Sequence, residues 1–260
     1  MNVTLTKEDK LLLNEAGLSS TCLGQGLTAL RKANFVFKWN YYQAFFLLTI
    51  GIERLLKVII VSKYKVENNC FPKNEFLKKL GHDIKQLIQV VESYNLDDKK
   101  IEGEIELLII DFLTNFAKSS RYYNLDAITG SGNSHSPLSE WKVIQNKIKE
   151  KEGLVSKPLH PDFLSLADSF ATFIQHDEDG NLVSGAGEFY KDSNIIDKLQ
   201  GYSVFYVWKI IQNLADKLRA IEYQYNTFPC LREFFPYFIE GWDEDEDIDI
   251  LKWKDWNYLK

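Results

Sequence analysis

Three short clusters carry the residue types that do chemistry. Glu53, Arg54 and Lys57 stand within little more than one helical turn, in the middle of a long apolar run. Polar groups placed there need partners if they are buried. One arrangement is a self-contained Glu53–Lys57 pair at i,i+4; the other is a site facing further polar groups. Gly81, His82 and Asp83 form the second cluster. In a continuous helix His82 would point away from the apolar stripe of residues 77–91, so it is not a simple core histidine. If Gly81 ends a helix, Asp83 caps the next one. The third cluster is Arg121, Tyr122, Tyr123, Asn124, Leu125 and Asp126. Arginine at a helix C-terminus suits the macrodipole, and asparagine ends helices. A guanidinium beside two tyrosines also suits a phosphate or a stacked base.

Other chemistries find little support. There is no G-x-x-x-x-G-K-[ST], G-x-G-x-x-G or G-x-S-x-G stretch. His82, His135, His160 and His176 lack metal spacing with one another or with cysteines. In residues 177–181, Asp-Glu-Asp-Gly-Asn, a calcium loop would need Asp first and Glu last, where Gln175 and Ala186 stand. The stretch reads better as a turn or short hairpin. No metal and no cofactor is expected.

These clusters must be positioned by helices, because the apolar period is helical nearly everywhere. Thr6 and Asp9 suit a cap for a short first helix. A second helix is expected over residues 20–37, with Gly24 and Gly26 weakening its start. Residues 41–64 hold no proline and one glycine. Their stripe of Phe45, Leu48, Ile52, Leu55 and Ile59 is backed by Phe46, Ile50, Val58 and Val61, the pattern of a buried helix. Further helices are expected over residues 74–94, with a break at Gly81, and over 104–119, 138–151, 162–175 and 194–226. Ser136 and Pro137 suit the start of the 138–151 helix. No βαβ alternation occurs, so the class is all-α. We divide the chain into a core at residues 1–130 and a helical extension at 131–260.

The order E-R-x-x-K, then G-H-D, then R-Y-Y-N-L-D across amphipathic helices resembles HEPN-like helical proteins. The resemblance covers residues 41–126. It implies an up-down helical bundle with additional C-terminal helices, frequent homodimers, and RNA cleavage or nucleotide binding in bacterial defence and toxin systems. On this resemblance His82, Glu53 and Arg121 are the catalytic candidates, with His82 as acid or base. Arg54, Lys57, Asp83, Tyr122 and Asn124 are the ligand-contacting candidates. The family's ribonuclease signature, an Arg with a His five to seven positions later, is absent: none of Arg31, Arg54, Arg121, Arg219 and Arg232 is so placed. The alternative is a non-catalytic interaction module in which the same residues form a buried polar network.

Composition bounds both readings. The chain has 260 residues and a net charge of −6, and six of its acids lie in residues 243–249 without a base among them. The rest is charge-balanced, which argues against a strongly basic nucleic-acid binder. An RNA site must therefore come from a local cluster, whereas the acidic stretch suits a protein partner with a basic surface. Trp242, Trp253 and Trp256 flank that stretch, and with Tyr258 and Leu259 they are expected to dock on the body or on a partner. The scattered Cys22, Cys70 and Cys230 suit a reducing cytoplasm. No signal peptide is evident, and no apolar run approaches the roughly 20 residues of a membrane span.

Overall fold

The computed structural model describes residues 4–34, 37–130, 136–157, 159–170, 175–176, 182–183, 194–238 and 250–256. They form an all-α assembly. Helix α1 is Lys7–Lys32, α2 Trp39–Asn68, α3 Asn74–Leu80, α4 Ile84–Glu92 and α5 Glu104–Lys118. A 3-10 turn at Ser120–Tyr122 leads into α6, Tyr123–Thr129; then follow α7 Pro137–Lys151, α8 Pro161–Phe170 and α9 Ile196–Tyr225. Among the described residues the only strands are Gln175–His176 and Leu182–Val183, paired antiparallel; residues 177–181, where a turn or short hairpin is expected, lie outside the described residues.

Local chemistry sets most boundaries. Thr6 and Asp9 form a reciprocal capping box at the start of α1: Asp9 N donates to Thr6 Oγ1 at 3.1 Å, and Thr6 N to Asp9 Oδ2 at 3.0 Å. Gly81, at φ +64°, ends α3 in a conformation that side chains resist. Asp83 then caps α4 by accepting from Gln86 N at 3.0 Å. Ser136 caps α7, with Pro137 at its first position.

The chain differs from the sequence expectation at its start. A short helix followed by one over residues 20–37 is replaced by a single helix, α1. Gly24 and Gly26 do not break it, because Gly26 serves the neighbouring helix. A Cβ there would lie 2.8 Å from Leu48 Cγ, and a Cβ on Gly51 would lie equally close to Leu23 Cγ. Each helix thus presents a glycine to a leucine of the other. The approach is close enough for Ser19 Oγ to donate to Gly51 O at 2.8 Å.

Helix α2 is the axis of the fold, packing against α1, α4, α5 and α9. Phe45, Leu48, Ile52, Leu55 and Ile59 are buried along it. Phe45 meets Phe112 at 4.6 Å and Trp141 at 5.2 Å between ring centroids, tying α2 to α5 and α7. Helix α9 touches α1, α2, α5 and α7, so its apolar stripe closes the same core. One side of α2 remains open, where Ile50 is exposed and Glu53, Arg54 and Lys57 are half-buried.

The C-terminal aromatics dock on the body. Ile250 and Trp256 are buried, and Trp256 N donates to Thr28 Oγ1 at 2.8 Å. Arg31 Nε donates to Trp253 O at 3.2 Å. Gly201 on α9 makes room: a Cβ there would lie 2.7 Å from Leu251 O. The acidic stretch at 243–249, Trp242, Tyr258 and Leu259 lie outside the described residues. No helix is long and apolar enough to cross a membrane among the described residues.

Candidate functional site

The open side of α2 forms one wall of a groove of about 700 Å³. Helix α1 contributes Leu12 and Glu15, α3 contributes Leu77, the α3–α4 turn His82, and the turn after α5 Arg121. Five of the eight sequence candidates therefore open onto one groove: Glu53, Arg54, Lys57, His82 and Arg121. Three come from α2, where 100° per residue keeps positions 53, 54 and 57 on one side.

Glu53 is the hub. Its Oε1 accepts from Lys57 Nζ at 2.7 Å and lies 2.8 Å from His82 Nδ1. A carboxylate only accepts, so Nδ1 carries the proton and a neutral His82 has its lone pair on Nε2. The imidazole is 75% exposed, and Nε2 makes no hydrogen bond among the described residues. Both sequence readings of Glu53 and Lys57 thus hold at once. They pair at i,i+4, and the same carboxylate orients a histidine from another helix turn.

Arg54 forms an ion pair with Glu15 of α1. Arg121 Nη2 donates to Ala117 O at 2.6 Å, closing the end of α5 as the macrodipole argument expects. That bond uses one of five guanidinium donors. The groove carries three permanent cations, Arg54, Lys57 and Arg121, against two carboxylates, Glu15 and Glu53. It is locally positive on a chain that is not.

The other three candidates stand outside the groove lining. Asp83 caps α4 and pairs with Lys118 of α5. Burial opposes its negative charge, but the Lys118 ammonium and the Gln86 N–H outweigh that and hold its pKa below the usual carboxylate range. Tyr122 is exposed, with the Arg121 guanidinium 5.8 Å from its ring centroid. Asn124 Oδ1 accepts from Tyr42 Oη at 3.3 Å, joining α6 to α2. Sequence reasoning missed Glu15. It stands 39 residues from Arg54, and no local motif marks it.

Among the described residues no group of three or more His, Cys, Asp or Glu side chains is placed to hold a metal ion. No family model matches the chain, and no curated protein or solved structure matches it significantly.

Proposed function

We propose that the groove binds a phosphate-bearing ligand, RNA or nucleotide, in a HEPN-like helical protein of the defence or toxin type. The observation that carries the reading is the convergence of charged groups from four chain segments around an oriented, solvent-facing histidine. Arg121 offers a fork suited to phosphate, and Lys57 a point charge beside it. His82, turned by Glu53, presents Nε2 for proton transfer. In cleavage of an RNA strand it acts as acid or base, with Arg121 holding the charge that develops on the phosphate. The absent Arg-x4–6-His signature means that any turnover depends on this His82–Glu53 pair. A homodimer is the assembly that accompanies this reading.

The experiment is to purify the full chain and ask whether nucleic acid copurifies and whether added RNA is cleaved. His82→Ala is expected to retain bound RNA and lose cleavage, and Arg121→Ala to lose both. Wild-type protein that neither binds nor cleaves RNA, nor binds a nucleotide, refutes the proposal.

A second reading, a non-catalytic interaction module, is favoured by the pairing of Lys57 with Glu53 and Arg54 with Glu15, which leaves the network internally satisfied. Glu53→Gln separates the two. A pair that solvent still reaches contributes about 0–1 kcal/mol, so a loss of stability well above that favours a structural network. In that reading, the acidic stretch at 243–249 receives a basic protein partner.

A further inference from the structure

A second cleft lies between the end of α1 and the start of α9 and shares no lining residue with the groove. Along α2, Trp39 stands fourteen residues from Glu53, about 21 Å at 1.5 Å per residue. The cleft has a volume of about 560 Å³. Trp39 lines it and is 63% exposed, unusual for a residue type that is mostly buried in folded proteins. Phe37 packs edge-on against the indole, at 5.5 Å between centroids and 77° between planes. The pair supplies an open aromatic platform.

Positive charge surrounds the platform. Lys32 lines the cleft and forms no ion pair among the described residues. Lys254 lies 3.5 Å from Asp197. Arg31 is already engaged, by Asp197 at 2.9 Å and Trp253 O, so it shapes the wall and neutralises the acid. The first turn of α9, Ile196 and Asp197, also lines the cleft, and no side chain caps it among the described residues. The start of a 30-residue helix is an electropositive end with spare N–H donors. Gln200 completes the wall. It is 1% exposed and its Nε2 donates to Tyr41 Oη at 2.5 Å, which fixes the wall in place.

A planar surface, two lysines and a helix start converge on one ligand chemistry. We infer that this cleft binds a nucleobase carrying a phosphate, the ring stacked on Trp39 and the phosphate held by Lys32, Lys254 and the first turn of α9. A free nucleotide and the end of a nucleic-acid strand share that chemistry. The inference does not depend on the groove, because the two surfaces have no residue in common.

Calorimetric titration of the full chain with adenosine 5′-monophosphate tests it. Stacking of a base on an aromatic ring predicts that Trp39→Ala weakens binding about 5- to 100-fold, with Trp39→Phe recovering part of the loss. Lys32→Ala with Lys254→Ala should weaken the monophosphate and leave adenosine unchanged. All these side chains are exposed, so thermal melts should be unchanged. A six-nucleotide oligoadenylate that binds more tightly than the monophosphate, through Trp39, identifies a strand end; one that binds no more tightly identifies a free nucleotide. The inference is overturned if wild type binds no monophosphate at millimolar concentration. It is equally overturned if Trp39→Ala binds as wild type.

Discussion

Gly51→Ala puts a methyl group into the contact between α1 and α2. The new Cβ would lie 2.8 Å from Leu23 Cγ and Cδ2 and 3.0 Å from the Leu23 backbone nitrogen. The side chain of Leu23 is fully buried and the backbone nitrogen belongs to a rigid helix, so relief requires α1 to move as a whole. Alanine in a helix interior gains about 1 kcal/mol over glycine. Overpacking costs about 1–3 kcal/mol. Separation also weakens the Ser19 Oγ–Gly51 O hydrogen bond, at about 1 kcal/mol. The net expectation is a destabilisation of about 1–3 kcal/mol, or about 2–4 °C in Tm for each kcal/mol. Urea denaturation followed by circular dichroism reads it as a lower midpoint. Gly26→Ala should behave alike, since its Cβ meets Leu48 Cγ at 2.8 Å. The same displacement carries Glu15 away from Arg54, so groove binding should weaken alongside stability. An unchanged or raised midpoint in Gly51→Ala would refute the close-approach argument.

Two further outcomes follow from docking and charge. Trp256→Ala removes a buried indole that stacks on Phe238 at 6.2 Å and meets Trp253 at 4.9 Å. It should cost about 3–5 kcal/mol and expose residues 250–256 to limited proteolysis; equal resistance to protease in the variant contradicts docking. The pKa values of Asp9 and Asp83 lie below the usual carboxylate range. Burial opposes this at each site, but Lys65 and Thr6 at Asp9, and Lys118 and Gln86 at Asp83, outweigh it. The unfolded chain then binds protons first as pH falls. The stability these acids confer is therefore complete above the ordinary carboxylate range and is lost as pH drops through it. Burial raises the pKa values of Asp216 and Glu222, which act in the opposite sense. Comparing Lys118→Met with wild type isolates Asp83. The variant should lose less stability than wild type on acidification below about pH 4, read from urea midpoints, and identical acid losses would contradict the assignment.

What could be read from the sequence was what is encoded locally. Caps at Thr6, Asp83 and Ser136, the stop at Gly81 and the stripe of α2 depend on neighbours within a turn or two, and each lies where the pattern places it. The division of α1 failed because Gly26 reads as a helix breaker in isolation. Its reason is Leu48, on another helix. The groove was partly legible for the same physical cause. Glu53 and Lys57 are one turn apart, whereas His82 reaches them from 29 residues away and Glu15 reaches Arg54 from 39. Asp83, Tyr122 and Asn124 share short motifs with groove residues but not the groove itself, because adjacent positions on a helix or turn point in different directions. The Trp39 cleft was not legible, since it joins the first 40 residues to Gln200 and Lys254.

The most direct measurement is an anisotropy titration of a labelled single-stranded RNA with the wild-type chain, Arg121→Ala and His82→Ala, at two salt concentrations. Phosphate contacts make affinity fall with salt, and losing one cation shallows that slope by roughly one contact. The account predicts saturable wild-type binding, a weaker and less salt-sensitive Arg121→Ala, and unchanged melting temperatures in both variants. Wild-type protein that shows no RNA binding, or an Arg121→Ala variant that binds as wild type does, would contradict it.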